Sequence, residues 1–250
     1  MTDQITDAIA KARDANTPPP SIVGIPTLPV ELAVPEQYLK LDLACGQNIR
    51  AGFEGVDLPG VPGVHHEMNL ARFPWKWADN SVGEINCSHF LEHLPMMYVD
   101  KHGNELPFGD PAGKDLFFAF FDECYRILRP EGTMVIVVPS CRSSRAFQDP
   151  THRRFFPAEA FVYLNEGMRK ANKLDHYNVA CNFDVAVDPG IFQHKAEQLN
   201  LMARMAEVRD QILDERWNVI ADWHVKLRSL KPSPQVIAAA AAAATIPPTP

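Results

Sequence analysis

The amino-acid sequence predicts an α/β fold in which a mainly parallel, doubly wound sheet carries helices on both faces. Strand-like and helix-like segments alternate along the chain, which favours parallel connections. Residues 133–138 (TMVIVV) form a continuous β-branched run, typical of a strand that is covered on both sides. Residues 116–128 place their large apolar side chains on one wide helical face.

The individual elements follow from the period of the apolar residues and from the turn residues between them. Arg129-Pro130-Glu131-Gly132 is predicted to end a helix and turn the chain, because proline cannot continue a helix. The predicted elements, in chain order, are strands at residues 39–43, 53–57, 64–67 and 83–88, a helix at 116–128, a strand at 133–138, a helix at 157–168, a strand at 177–187, a helix at 191–213 and a strand at 217–227.

The two ends of the chain differ in composition from the middle. Residues 1–35 can hold one short helix before a proline-rich stretch, and residues 231–250 contain seven consecutive alanines between prolines. We therefore expect an N-terminal extension over 1–35, one domain over 36–230 and a disordered tail over 231–250. The polar segment 95–114 is long for a connection, which is typical of a lid or an acceptor-binding loop, or of a plain surface excursion.

The composition is that of a globular domain: 46% of the 250 residues are hydrophobic and 22% are charged. No apolar run approaches the ~20 residues of a membrane span, and the N-terminus lacks the pattern of a signal peptide, so a cytoplasmic location is expected. The five widely spaced cysteines suit free thiols in a reducing compartment. A net charge of −7 disfavours nucleic-acid binding by the whole surface but leaves a local basic patch open.

A strand followed by a tight turn of small residues suggests a nucleoside site. Residues 42–46 (DLACG) are followed by residues 55–58 (GVDL), so that Asp57 ends the next strand. Small turn residues let a ligand approach the backbone, and an acidic residue at that strand end can accept hydrogen bonds from both ribose hydroxyls. An ordinary β-turn beside a surface aspartate is the alternative.

Five segments together resemble the class I S-adenosylmethionine-dependent methyltransferases, in the order and at spacings similar to that family's. The closest resemblance is to the branch with a short "LNLGCG" loop and an "S-H-x-L-E-H" element, and it covers residues 39–156. The segments are residues 42–46 (DLACG), 55–58 (GVDL), 69–70 (NL), 80–94 (NSVGEINCSHFLEHL) and 128–139 (LRPEGTMVIVVP).

The resemblance implies a Rossmann-like sheet of seven strands, with the last strand antiparallel, and S-adenosylmethionine as cofactor. It implies a loop beneath the methionine part of the cofactor, an acid on the ribose, contacts to the adenine, and residues near the methyl group. The residues implied for cofactor binding are Asp42, Ala44, Cys45, Gly46, Asp57, Leu58, Asn69, Leu70, Ser88 and His89. The family's fuller loop reads G-x-G-x-G, whereas this chain has Ala44, Gly46 and Asn48, which puts cofactor affinity in question.

Residues 89–93 (HFLEH) also fit the H-x-x-E-H pattern of a zinc hydrolase. Histidines four apart on a helix face the same way and can share a zinc ion. That reading assigns His89, Glu92 and His93 to the metal. The segment directly follows a predicted strand rather than lying inside a helix, and methyltransferase-like segments flank it. We therefore prefer the methyltransferase interpretation, which places no metal here.

A basic segment follows the fifth predicted strand. Residues 141–156 hold four arginines and one aspartate, a local charge opposite to that of the chain. Arginine suits planar anions, and D-P-T-H-R resembles an element on the acceptor side of the same methyltransferase branch. We assign Arg142, Arg145 and Arg153 to substrate binding and His152 to catalysis as a general base, since its ordinary pKa of about 6.5 allows proton transfer near neutral pH. Helix capping or surface ion pairs are the alternative.

The sequence therefore predicts methyl transfer from S-adenosylmethionine to an unidentified acceptor. A hydroxyl of a small molecule or a sugar, with an anionic group, fits the branch best, while nucleic acid stays open. Two other classes are kept: a nucleoside-binding protein that has lost catalysis, and the zinc hydrolase. The oligomeric state does not follow from the sequence.

Overall fold

In the computed structural model, residues 38–191, 216–233 and 236 are described. They belong to a compact unit that begins at Gln37. The short helix predicted within 1–35, the long helix predicted over 191–213 (apart from Ile191) and most of the predicted tail lie outside these residues. The elements are β1 Leu39–Leu43, β2 Glu54–Asp57, β3 His66–Glu67, β4 Val82–Ser88, β5 Tyr98–Val99, β6 Glu105–Leu106, β7 Lys114–Asp115, α1 Leu116–Ile127, β8 Leu128–Pro139, α2 Arg145–Gln148, α3 Glu166–Ala171, β9 Phe183–Ile191 and β10 Ile220–Ser229.

A sheet of seven strands in the order β3-β2-β1-β4-β8-β10-β9 forms the centre of the unit. Pairing is parallel from β3 through β8, and β10 runs antiparallel to both β8 and β9. This confirms the predicted mainly parallel, doubly wound sheet with its last strand antiparallel. The predicted insertion over 95–114 contributes a separate small antiparallel sheet, β6-β5-β7.

Helix α1 packs its aromatic face against the sheet. Phe120, Phe121 and Ile127 are fully buried in the same core as the central-strand residues Leu41 and Ile136. The helix begins where the Asp115 side chain accepts a hydrogen bond from the Phe117 backbone N–H. Burial of each large apolar side chain contributes about 1.5–3 kcal/mol, so this face holds the helix against the sheet.

The predicted turn at residues 129–132 is instead part of strand β8. Leu128 pairs with Val82, but the next aligned pair is Thr133 with Glu84, so the register shifts between them. Between these two pairs β8 advances by five residues while β4 advances by two. The extra residues of β8 form a bulge, in which Glu131 has a positive φ of 59°. Pro130 is tolerated there because a residue in a bulge does not need to donate a backbone hydrogen bond to the neighbouring strand.

Two other predicted elements are shorter or different. Residues 157–168 form a 3-10 helix, Ala158–Leu164, and then α3, because the Asn165 side chain accepts from the Met168 backbone N–H and starts a new helix. Strand β9 begins at Phe183 rather than at residue 177. The Asp122 carboxylate accepts from the backbone N–H groups of Ala180 and Cys181, which diverts those donors from a strand ladder.

None of the helices in the described ranges has the length and apolar character needed to cross a membrane.

Candidate functional site at the carboxyl ends of the parallel strands

The order of the strands reverses between β1 and β4. The chain runs outward through β2 and β3 and then returns to place β4 on the other side of β1. In open α/β sheets, ligands bind beyond the carboxyl ends of the strands at such a switch point. The segments that follow β1, β2, β4 and β8 at this edge are those that the sequence singles out.

The turn after β1 is built from left-handed residues. Ala44 has φ 52° and Gly46 has φ 55°, and the Ala44 backbone N–H donates to the Val56 carbonyl at 2.7 Å. Alanine in this conformation crowds its own Cβ against the following carbonyl, at a cost of roughly 1–2 kcal/mol. The predicted departure from the glycine-rich loop is therefore a strained residue and not merely a bulkier one.

Gly55, in β2, lets this turn approach the sheet. A Cβ on Gly55 would lie 2.7 Å from Ile49 Cδ1 and 2.8 Å from Cys45 Sγ, closer than real Cβ atoms come to other groups. The Cys45 side chain thus packs toward β2. Burial is the main cause that raises the pKa of the Cys45 thiol, and the nearby Asp42 and Asp57 carboxylates raise it further.

Asp57 ties the end of β2 to the turn after β1. Its Oδ2 accepts from the Gly46 backbone N–H at 2.7 Å and its Oδ1 accepts from the Leu58 backbone N–H at 2.7 Å. An ionised carboxylate offers about four lone-pair sites, so two remain for hydroxyl donors of a ligand. Leu58, beside it, is 52% exposed and offers an apolar surface at the same edge.

Asp42 is buried, and its carboxylate accepts hydrogen bonds from the loop after β1 and from β4. Its Oδ2 accepts from the Arg50 backbone N–H at 2.7 Å, and its Oδ1 accepts from Asn86 Nδ2 at 2.7 Å. The Arg50 guanidinium donates back to Asn86 Oδ1 at 3.0 Å. Asp42 therefore positions the loop. Sequence reasoning missed Arg50 and Asn86, although Asn86 lies opposite Asp42 in the β1–β4 register.

Asn69 and Leu70 occupy the turn that follows β3. The Asn69 side-chain oxygen accepts from the Ala71 backbone N–H at 2.9 Å, and the residue is exposed. The Leu70 side chain is 4% exposed and belongs to the core. The exposed Asn69 side chain is thus available to a ligand, whereas the Leu70 side chain is packed in the core.

Ser88 ends β4, and His89 follows it with a positive φ of 54°. His89 Nδ1 lies 3.2 Å from Glu92 Oε1, and this hydrogen bond is the main cause that raises the pKa of His89. Glu92 and His93 belong to a single 3-10 turn, Leu91–His93. The alternative interpretation, in which His89 and His93 share a metal on one face of an α-helix, is therefore wrong, because no α-helix forms there.

The basic segment after β8 keeps less free charge than its sequence indicates. Arg145 Nε lies 3.1 Å from Asp222 Oδ1, and Arg154 Nη2 lies 2.8 Å from Asp115 Oδ1. The predicted local positive charge is therefore partly compensated by carboxylates from distant parts of the chain. Arg153 is exposed and donates to the Pro150 carbonyl at 2.9 Å. Asp222 is a residue at this edge that sequence reasoning missed.

Arg142 and His152 lie in the same segment. The Arg142 carbonyl accepts from the Asn218 backbone N–H at 2.9 Å, which joins this segment to the chain before β10. His152 Nδ1 lies 2.8 Å from the Ala146 carbonyl. A carbonyl only accepts, so Nδ1 carries the proton and the neutral ring keeps its lone pair on Nε2.

Backbone contacts join the segment after β4 to the segment after β8. The Glu92 carbonyl accepts from the backbone N–H groups of Arg153 at 2.6 Å and Arg154 at 3.0 Å. The His93 and His152 rings meet edge to face with their centroids 4.7 Å apart. The structure thus brings His152 to the S-H-x-L-E-H segment, a contact that sequence distance did not reveal.

Two cavities lined by described residues include neither Asp42 nor Asp57. One of about 640 Å³ lies near Asn80, Arg126 and Lys231, at the opposite end of β4. The other, of about 530 Å³, is aromatic and is bordered by Arg153, Arg154 and Phe155, beside the basic segment. The second cavity is thus bordered by the segment that the sequence analysis assigns to the acceptor.

The architecture and the sheet order can be compared with solved structures. A SAM-dependent methyltransferase from Archaeoglobus fulgidus is similar with a TM-score of 0.50 and 16% sequence identity, over 77% of this chain and 86% of that one. The chain has the class I methyltransferase fold. No protein-family model matches the chain, and no curated protein matches it.

Two further solved structures are also similar to this chain. One is a SAM-dependent methyltransferase from Methanosarcina mazei, with a TM-score of 0.42 and 13% identity over 80% of this chain and 95% of that one. Another is a possible histamine N-methyltransferase from Thermotoga maritima, with a TM-score of 0.43 and 15% identity over 80% of this chain and 84% of that one.

Proposed function

We propose that this chain binds S-adenosylmethionine at the carboxyl ends of β1 and β2 and transfers its methyl group to a hydroxyl of a small molecule or a sugar. The observation that carries the proposal is the position of Asp57. Its carboxylate is fixed at the switch point by Gly46 and Leu58 and keeps lone pairs for two ribose hydroxyls. The fold and the resemblance in sequence support the same cofactor.

The polar and apolar groups at this edge of the sheet fit a nucleoside that carries a charged amino-acid tail. The turn residues 44–46 offer backbone close to the ligand, Asp57 accepts from hydroxyls, and Leu58 covers an apolar ring. Asp42 and Asn86 hold the turn in place. Asn69, Ser88 and His89 complete the proposed cofactor site, with His89 nearest to the reacting end.

A bound sulfonium cofactor supplies the reactivity of the methyl carbon. The chain's own residues then have to align the acceptor and exclude water, because in-line displacement depends on geometry. We place the acceptor against the segment after β8, with Arg142 and Arg153 directed to an anionic group and Arg145 held by Asp222. His152, whose Nε2 keeps its lone pair, is the proposed base for the acceptor hydroxyl.

Transfer of radiolabelled methyl from S-adenosylmethionine tests this function directly. The full chain is incubated with sugars, sugar phosphates, phenols and single-stranded nucleic acid as separate acceptors. Label in a hydroxyl of a small molecule supports the proposal, and loss of transfer in Asp57→Ala but not in Asp188→Ala assigns it to this site. Asp188 is a suitable control because it is an exposed strand aspartate paired with Lys226.

Label in nucleic acid alone would overturn the acceptor class. Cofactor binding without transfer to any acceptor would favour the nucleoside-binding protein that has lost catalysis.

A further inference from the structure

The structure gathers three metal-ligating side chains from two separate segments. Glu92 and His93 follow β4, and His152 follows β8, yet one ligand atom of each lies within 4.8 Å of the other two. Bonds of about 2.0–2.2 Å to a tetrahedral zinc ion separate ligand atoms by about 3.4 Å. The observed spacing of up to 4.8 Å is therefore wider than a bound zinc ion requires, and the three side chains would have to close in on the ion.

The buried carboxylate of Glu92 has an oxygen without a partner. The Glu92 side chain is 2% exposed, its Oε1 lies 3.2 Å from His89 Nδ1, and its Oε2 has no hydrogen-bond partner in the described part of the chain. Buried polar atoms are satisfied in the great majority of cases, so an orphaned one calls for a partner such as a water, an ion or a ligand. A cation at this point would do so.

Both histidines are held in the tautomer that binds a metal through Nε2. The Thr151 hydroxyl donates to Asp149 Oδ1 at 2.7 Å, so at 3.0 Å from His93 Nδ1 it can only accept. His152 Nδ1 likewise donates to the Ala146 carbonyl at 2.8 Å. Each ring therefore keeps its Nε2 lone pair, and outer hydrogen bonds of this kind orient histidine ligands in metal sites.

We infer that Glu92, His93 and His152 bind one divalent transition-metal ion, with zinc as the best-suited metal. Two imidazoles and one carboxylate select transition metals over Mg²⁺ or Ca²⁺, which prefer oxygen ligands alone. Three protein ligands leave a coordination position for an oxygen of water or of a bound molecule. This set differs from the H-x-x-E-H reading, because His152 replaces His89.

The site bears on the role of His152 in the proposed methyl transfer. A metal ion on Nε2 takes the lone pair that a general base needs, so zinc binding through His152 would overturn the base role proposed above and leave the proposed cofactor site at Asp57 unchanged. The inference that a metal is bound does not depend on the proposed function.

Calorimetric titration of the full chain with Zn²⁺, after removal of metal with a chelator, tests the site without any activity assay. We expect one ion per chain, and we expect Glu92→Gln, His93→Ala and His152→Ala each to weaken binding by at least about 10-fold. His102→Ala is the matched control, since His102 is an exposed histidine of the 95–114 insertion, and it should bind zinc as the wild type does.

If the buried Glu92 variant fails to fold, two other measurements still test the metal site. Thr151→Val changes an exposed residue, leaves all three ligands present and should still weaken zinc binding by about 10–100-fold, because His93 loses its acceptor. Cobalt(II) in place of zinc should give a visible spectrum without thiolate charge transfer, which excludes the cysteines as ligands.

A metal concentration of about 100 µM is well above the dissociation constants of protein zinc sites. Absence of zinc binding by folded wild-type protein at that concentration would overturn the inference. Unchanged affinity in both His152→Ala and Thr151→Val would overturn it as well. Failure of S-adenosylhomocysteine to bind would instead count against the proposed function and leave the metal site standing.

Discussion

The Gly46 backbone N–H donates to the Asp57 carboxylate at 2.7 Å, which fastens the turn after β1 to the end of β2. The same carboxylate is the proposed ribose acceptor, so loop geometry and ligand binding depend on one side chain. Asp57→Ala should weaken binding of S-adenosylhomocysteine by at least about tenfold, or ~1.4 kcal/mol. Calorimetry measures this directly, and an unchanged affinity would place the ribose elsewhere.

Ala44→Gly should stabilise the protein. Ala44 has φ 52°, a backbone conformation that glycine adopts without steric strain and alanine does not. Relief of that strain exceeds the extra entropy that glycine loses on folding, for a net gain of about 0.5–1 kcal/mol. Urea denaturation of the variant should show a higher midpoint, with Ala51→Gly as an exposed control that shows none. A lower midpoint would mean that the turn needs the methyl group of Ala44.

Cys45 should report on the cofactor site through its reactivity. Burial and two carboxylates raise the pKa of its thiol, so the thiolate fraction is small at pH 7 and grows as the pH rises toward 9. Alkylation followed by mass spectrometry should show slow modification of Cys45 that accelerates with pH. S-adenosylhomocysteine should protect Cys45 but not the half-buried Cys141. Equal modification with and without the nucleoside would separate Cys45 from the ligand site.

Lys231, the first residue of the predicted tail, is hydrogen-bonded to the domain. Its Nζ donates to the carbonyls of Leu128 at 2.6 Å and Arg126 at 2.9 Å and to Asn80 Oδ1 at 2.7 Å. Lys231→Met removes one donor from each of these acceptors, of which the Arg126 carbonyl still accepts from the Asn80 backbone N–H at 3.1 Å. The change should cost about 1–3 kcal/mol in denaturant unfolding. A chain that ends after Lys231 should keep the wild-type melting temperature within a few degrees. A larger loss on truncation would show that later residues pack.

His152→Ala should lower turnover by roughly 10²–10⁴-fold once an acceptor is known, while the affinity for S-adenosylmethionine stays unchanged. Arg153→Ala should instead raise the acceptor's KM, because an exposed arginine contributes to binding an anion. Wild-type turnover in His152→Ala would exclude the proposed role of this residue as the general base.

A chelator distinguishes the two roles of His152. Activity that is lost on metal removal and restored by zinc indicates a ligand, whereas activity that is indifferent to the chelator indicates a base.

Much of the fold could be predicted because its signals are local. Strand β1 was predicted at its observed bounds, and the burial of Phe120 confirms the predicted apolar face of helix α1. The later elements depend on distant partners instead. Asp122 diverts the backbone before β9, and the pairing of β4 with β8 turns residues 129–132 into a bulge.

The candidate site divides in the same way. Residues at strand ends, such as Asp57 and His89, could be placed because the carboxyl ends of parallel strands share one edge. Contacts across the chain could not be foreseen: Arg145 pairs with Asp222, and His152 meets Glu92 and His93. Sequence alone counted the arginines of residues 141–156 as free charge, because the carboxylates that compensate them come from other elements.

Titration of the full chain with S-adenosylhomocysteine, followed by calorimetry, tests the central claim most directly. We predict one site per chain, an affinity that falls by at least about tenfold in Asp57→Ala, and an affinity that is unchanged in Asp188→Ala. Heat-stable, folded protein that shows no binding at millimolar nucleoside would contradict the claim that this sheet edge holds the cofactor.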